Sequence, residues 1–385
     1  MKKKSKSKNM TGTDRVIDNQ KSEKMNSDKY GQNSGKAIKW YEFHPSDTLF
    51  LRGSEPMVSG TSYETIQIFP PPVSVISGAI RTAVLAQNRI SIARYKKGDP
   101  VEDLIGKHGE YGKNLPFNVV GPLLKFGDAY FVPAPYTWFI DEDKSEDNDK
   151  SRQKQSKKNN GESKDDKQKK ITVFEANHLD NQIVNSLGIK SSSHITGWVK
   201  HRYEVKTVGG SWVSLIEVLK KNTDAAGKRI FKDGITIFGS GSDRGKAFGI
   251  EERIGIEIDK DRSVMESQLY MSRHIRLKPD FSIVWGVDRE CGLADQGVIS
   301  IGGEQRFGRY AVIDSDLTLP ESGSRFLALS PVEASKTNAE SLIASGKIVY
   351  RGGWDLARQF HKDMKGYYPA GSVFKTPVDS GCIPF

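Results

Sequence analysis

An α+β fold is what this sequence predicts, and three observations predict it. Short β-rich runs follow one another from Ile235 onward, few helical stretches separate them, and strand and helix never alternate in a regular βαβα order. Apolar residues make up 36% of the 385 residues, roughly 46% when the 37 glycines are counted as is usual, so a sizeable core is available and global disorder is excluded.

The elements follow in order. Ile38, Trp40 and Glu42 share one parity and Tyr41 and Phe43 the other, which predicts a strand that His44-Pro45 ends. A second short strand is expected over Thr48 to Arg52, and a Gly-rich segment follows to Gly60. Pro70, Pro71 and Pro72 then force an extended backbone before the clearest helix of the first half. Ser74 reads as its N-cap, and Ile76, Ile80, Ala83 and Val84 form its apolar face. Short helices are expected over Asp103–Glu110, Ser211–Lys221 and Leu356–Lys365. Strands are expected at 130–132, 137–140 and within 198–208, then at 235–238, 254–258, 269–276, 281–287, 298–302, 326–329 and 347–350, with a final one ending at Phe374. Ile254, Ile256 and Ile258 alternate with Gly255 and Glu257, the pattern of a half-buried strand.

The net charge of +10 is unevenly spread. Residues 1–36 hold ten basic and four acidic residues and almost no large apolar ones, so they read as a disordered basic tail. Residues 141–170 hold ten basic and nine acidic residues and read as a disordered charged insertion. Only +3 is left for the rest, so a nucleic-acid surface would have to come from arrangement rather than bulk charge. No run of about 18 apolar residues occurs, so no membrane helix is expected. The Lys-rich start lacks the apolar region of a secretory signal. Cys291 and Cys382 are too few for a zinc ribbon or a disulfide scaffold, and read as reduced thiols of a cytoplasmic protein.

Three segments carry chemistry. Ser74, Ser77, Gly78 and Arg81 line one side of the first helix and suit a phosphate backbone; they read equally as packing through Gly78 with Arg81 in a salt bridge. Gly239–Gly249 resembles a phosphate loop but has Ser240 where the first Walker glycine belongs and Ala247 where the hydroxyl belongs, leaving a flexible loop with Arg244 and Lys246. In Ile301–Arg309, paired glycines with Arg306 and Arg309 allow close approach to an anion, or make a tight turn. Phe307 and Tyr310 could stack on bases or pack in the core. The seven histidines form no zinc pattern; His44 and His274 are candidate general bases of a nuclease, or structural or RNA-contacting residues.

Taken together, residues 43–57 (FHPSDTLFLRGSEPM), 69–85 (FPPPVSVISGAIRTAVL), 251–259, 269–277, 301–310 (IGGEQRFGRY) and 368–374 (YPAGSVF) resemble, in this order, a RAMP subunit of type III-B CRISPR effectors, Cmr subunit three of the Cas-five-like group. The resemblance implies two ferredoxin-like (RRM-like) RAMP domains, over 37–234 and 235–385, with long insertions and glycine-rich loops. It implies a non-catalytic subunit with no cofactor and no metal. Its expected partners are the 5′ repeat-derived tag of the CRISPR RNA, the large Cas-ten-type subunit, a backbone Cas-seven-like subunit and, indirectly, target RNA; no membrane is involved. RNA-binding residues expected on this basis are Arg52, Ser74, Ser77, Arg81, Arg244, Lys246, Arg253, His274, Gly302, Gly303, Gln305 and Arg306. Related RAMP endoribonucleases process precursor RNA, which supplies the alternative reading.

Overall fold

A computed structural model of the chain describes residues 38–53, 67–98, 100–110, 114–141, 173–176, 205–220, 228–229, 237–238, 247–337, 339–352, 354–355, 360–378 and 381–385. The tail 1–36, all but one residue of the insertion 141–170, the boundary at 234/235 and the loop residues Arg244 and Lys246 lie outside the described residues.

The strands up to residue 312 are β1 (Lys39–Pro45), β2 (Val119–Phe126), β3 (Ala129–Pro133), β4 (Trp138–Asp141), β5 (Val173–Glu175), β6 (Val205–Thr207), β7 (Trp212–Ser214), β8 (Lys228–Arg229), β9 (Ile237–Phe238), β10 (Phe248–Ile258), β11 (Val264–Leu277), β12 (Phe281–Val287), β13 (Gln296–Ser300) and β14 (Phe307–Val312). The helices are α1 (Val73–Gln87), α2 (Ile92–Tyr95), α3 (Glu102–Ile105) and α4 (Leu215–Leu219). Among the described residues the strands pair antiparallel and helices are few, so the α+β class holds.

The main sheet has eight strands in the order β13-β14-β1-β12-β2-β3-β7-β9, and it takes strands from both sides of residue 234. β1 is paired on both edges, with Tyr41 opposite Trp285 of β12 and Phe43 opposite Tyr310 of β14. Tyr41, Phe43, Trp285 and Tyr310 are buried on one face. β12 reads FSIVWGV and is buried along its whole length, as a central strand covered on both faces should be. Beyond β14, Phe326–Ala328 lies between Val373–Phe374 and Cys382–Pro384 in a separate four-stranded sheet.

Helix α1 packs on the main sheet against β2 and β13. Ile76, Ile80 and Val84 are fully buried and Ala83 nearly so, as the spacing predicts. Its start differs from the sequence reading. Pro72 occupies the N-cap and its carbonyl accepts from the Val75 and Ile76 amides; Ser74 is the second helical residue and its side chain caps nothing. The Pro-rich lead-in presets the backbone and removes the need for a hydroxyl cap.

Other elements also depart from expectation. The helix expected from Asp103 runs only over Glu102–Ile105, where Gly106 at φ +79° turns the chain. Trp212–Ser214 is drawn into the sheet by Pro133 and Phe238, so only Leu215–Leu219 of the stretch expected over Ser211–Lys221 is helical. Within the helix expected over Leu356–Lys365, Phe360–His361 is a strand and Lys365 opens another that runs to Tyr368, because cross-strand partners at Trp354–Asp355 and Val349–Arg351 override local helix propensity. β14 was unforeseen as a strand: Gly308 in its buried row hid the alternation that Tyr310 continues.

β10 and β11 form a two-stranded hairpin. Ile254, Ile256 and Ile258 are not half-buried as the alternation suggested; they are exposed, as is Ile250. The pattern is real, but among the described residues nothing covers this face.

The core face of α1 yields a direct test. Ile80→Ala should destabilise the protein by about 2–5 kcal/mol through lost burial and a residual cavity, read as a lower urea midpoint at unchanged slope. A change below about 1 kcal/mol would mean that α1 does not seal the sheet.

Candidate nucleic-acid interface

Residues 46–52, just after β1, are pinned on two sides. The Ser46 amide donates to the Phe307 carbonyl at 3.0 Å, and Leu49 exchanges both backbone hydrogen bonds with Ile275 of β11. The Gly303 amide donates to the Phe50 carbonyl at 2.8 Å. One short segment therefore touches both the hairpin and the loop 301–306.

That loop needs its glycines. Gly302 has φ +90°, and a Cβ there would lie 2.4 Å from the Phe50 carbonyl oxygen, too close for any side chain. Glu304 and Gln305 follow at φ +53° and +52°, an uncommon conformation for non-glycine residues. The loop is closed by the Arg306 amide on the Gly303 carbonyl and the Ile301 amide on the Arg306 carbonyl.

The register of the hairpin sorts its side chains. Glu251 opposes His274 and Arg253 opposes Ser272, so these four share one face with Arg276; the exposed isoleucines lie on the other. Asp47 points into the polar face. Its Oδ2 accepts from Arg253 Nη2 at 3.0 Å and from Arg306 Nη1 at 3.1 Å, and its Oδ1 from Arg276 Nη2 at 2.8 Å. Glu251 accepts from the Nε of both Arg253 and Arg276, and Glu304 accepts from Arg306 Nη2 at 3.2 Å. Three arginines from two separate segments thus meet three carboxylates, and the charges balance. The remaining terminal nitrogen of Arg253 and of Arg276 is engaged by no described residue.

The hydrogen bond from Arg253, followed by that from Arg276, holds the Asp47 carboxyl down at about 2. Arg276 and then Arg253 lower Glu251 in the same way. Beneath the cluster His274 is fully buried, with Nδ1 3.2 Å from Thr48 Oγ1 and Nε2 3.0 Å from Ser272 Oγ. Desolvation by burial lowers its pKa, so the ring is held neutral at physiological pH. It packs against the Phe50 ring at 5.0 Å.

Of the residues named from sequence, the structure brings Arg253, His274, Gly302, Gly303, Gln305 and Arg306 together. Arg81 stands apart and is directed inward, its terminal nitrogens donating to the carbonyls of Lys107 and Glu110 and to the Tyr95 hydroxyl. Ser77 is buried and donates to the Ser74 carbonyl. Arg52 is bridged to Gln67. Tyr310 lies in the core, its ring edge-on to Tyr41, whereas Phe307 is exposed. Asp47, Glu251, Arg276 and Glu304 were missed. An acid that organises cations has no basic signature in the sequence, whereas Arg276 shares the parity of His274. Among the described residues no three metal-ligating side chains cluster.

A family model described as CRISPR-associated protein (Cas_Cmr3) matches residues 41–343. The chain belongs to this family. The Cmr3 match takes in Asp47, the hairpin and the glycine loop. Among solved structures, a chain of the type III-B Cmr-beta complex bound to cognate target RNA is 18% identical, with 88% of this chain and 86% of that chain covered and a TM-score of 0.47. A chain of the Csm3–Csm4 subcomplex of a type III-A CRISPR-Cas interference complex is 11% identical, with 90% and 99% covered and a TM-score of 0.39. No curated protein matches. No helix among the described residues is long and apolar enough to cross a membrane.

The lowered Asp47 value gives a pH signature. A carboxylate depressed from 3.8 to about 2 stabilises the fold above its ordinary value and loses that contribution as pH falls through the folded one. Asp47→Asn should therefore melt below wild type at neutral pH, with the gap closing between pH 3.8 and about 2. A gap that persists at the acid end would mean that Asp47 acts through something other than its charge.

Proposed function

We propose that this Cmr3-family chain is a non-catalytic RNA-binding subunit of a type III-B CRISPR effector, holding the 5′ repeat-derived tag of the CRISPR RNA. The observation that carries this reading is the convergence of Arg253, Arg276 and Arg306 on Asp47 beside a glycine loop in a chain of this family. A guanidinium presents five donors in a planar fork. Asp47 and Glu251 use one edge of Arg253 and of Arg276 and leave a terminal nitrogen of each for a phosphate oxygen. Gly302 and Gly303 lack side chains that would fend off a ribose-phosphate backbone, and Gln305 is exposed beside them.

Arg244 and Lys246, which precede β10 in the sequence, would extend this grip. Arg52 and the α1 side of Ser74, Ser77 and Arg81 serve the scaffold in this reading. The subunit would anchor a large Cas-ten-type subunit to a backbone Cas-seven-like one, in the cytoplasm, and would meet target RNA only through the complex. The two ferredoxin-like halves belong to the same proposal, with the main sheet as the place where strands from both are joined. Endoribonuclease activity finds no support at His274, whose two ring nitrogens are occupied and whose side chain is sealed from substrate.

The test is binding of a fluorescein-labelled RNA carrying the repeat-derived tag, titrated against salt. Arg253→Ala and Arg276→Ala should each weaken binding and flatten the log–log salt slope by about 0.7 per lost phosphate contact. Wild-type affinity and slope in both variants would reject this site. Metal-independent cleavage of repeat RNA by the purified protein would favour the nuclease alternative.

A further inference from the structure

The main sheet has a second face, opposite α1. Glu42 and His44 of β1, Arg309 and Ala311 of β14, and Gln296 and Val298 of β13 share it by register. Over β12 and β2 this face is closed, with Val284 and Leu123 fully buried. Over β13, β14 and the end of β1 it opens into a concavity of about 510 Å³ lined by those six residues together with Gly297, Tyr310 and Ile313.

The lining has a definite chemistry. Val298 is 59% exposed, and Phe307, on the same face two residues before Arg309, is 51% exposed. Arg309 is exposed, and no carboxylate among the described residues pairs with it. Glu42, the one acid on the floor, is already taken: Lys125 Nζ donates to it at 2.7 Å and Ser282 Oγ at 2.6 Å. What remains is an apolar aromatic platform and a cation about 7 Å apart along one strand, with the His44 imidazole beside them. An aromatic ring for a base and an arginine for a phosphate are what a nucleotide chain needs.

The face also continues from the site already described. Phe307 directly follows Arg306, and its carbonyl accepts from the Ser46 amide, next to Asp47. The arginine cluster and this face therefore meet at the start of β14.

We propose that the open face of β13, β14 and β1 is a second binding site for single-stranded RNA, with a base stacked on Phe307 and Val298 and a phosphate held by Arg309. The proposal rests on the reading of the chain as an RNA-binding subunit and extends it to residues outside the arginine cluster.

The experiment uses the full chain with fluorescein-labelled single-stranded oligoadenylate and oligouridylate in anisotropy titrations. The same oligonucleotides carrying 4-thiouridine are photo-cross-linked and the adducts mapped by mass spectrometry. Phe307→Ala should bind about tenfold more weakly with an unchanged salt slope, Phe307→Tyr should restore binding, and Arg309→Ala should flatten the slope by about 0.7. Adducts should map to 296–300 and 307–311. Both positions are on the surface, and melting curves would check that the variants stay folded. Wild-type binding in Phe307→Ala and Arg309→Ala, with adducts only in 244–276 or 301–306, overturns this site and leaves the proposed function standing. No binding of either homopolymer by wild type at low salt overturns this site, while failure to bind the tag-bearing RNA overturns the proposed function. If Phe307→Ala instead abolishes self-association while RNA binding is unchanged, the face is a protein surface and the proposal fails.

Discussion

A single carboxylate, Asp47, sets the terms for the polar centre of this protein. Arg253 and Arg276 come from the hairpin and Arg306 from the glycine loop, and three guanidinium groups brought this close repel one another. Asp47 offsets that repulsion at the one place where residues 46–52 are already hydrogen-bonded to both segments. Glu251 and Glu304 complete the compensation from the sides. The side chain of Asp47 is 43% exposed, so each pair is individually worth little; the geometry gains from the number of pairs and from the backbone that fixes their origins.

Underneath, polar groups are satisfied rather than avoided. His274 could not be buried without partners, and Thr48 and Ser272 supply one hydroxyl to each ring nitrogen. A neutral imidazole adds no fourth positive charge below the arginines. The close approach of Gly302 and Gly303 to Phe50 then seats the loop directly over this layer. The hairpin is thus divided by its own periodicity. One face is consumed in the charge network, while Ile250, Ile254, Ile256 and Ile258 on the other remain exposed. Tyr270 lies across Gly255 on the polar face, where any larger residue would collide with its ring.

Much of this was legible in the sequence, for reasons that can be named. The strand at 39–45, the apolar face of α1 and the buried run of β12 follow from periodicity, which local sequence records faithfully. The glycine loop was legible because close backbone approach leaves glycine as its mark. The missed features all depend on tertiary partners. Residues 360–368 pair as strands because of 349–355, and nothing within the segment says so. The alternating isoleucines of β10 announced a strand, but only the fold reveals that no described residue covers them. Arg81 reads as a phosphate ligand on a helical wheel, yet α3 and its following turn bring two carbonyls within its reach. Above all, Asp47, the anion that arranges the cations, carries no mark of that role in its local sequence.

The charge itself changes meaning in this light. A net charge of +10 suggests a basic RNA-binding surface, yet the arginines nearest to a plausible site are balanced by equal numbers of carboxylates. Neutral clusters bind poorly by long-range attraction, since Coulomb forces from opposite signs cancel within a Debye length. They select instead by geometry: an incoming phosphate gains only where a guanidinium nitrogen is oriented toward it and already held. Such a site gives up non-specific affinity for discrimination of shape, which suits recognition of one fixed segment of RNA. Arg309 differs in this respect. It stands on an open sheet face where no carboxylate among the described residues pairs with it, beside an exposed aromatic ring, so the attraction and stacking proposed there would act on any base.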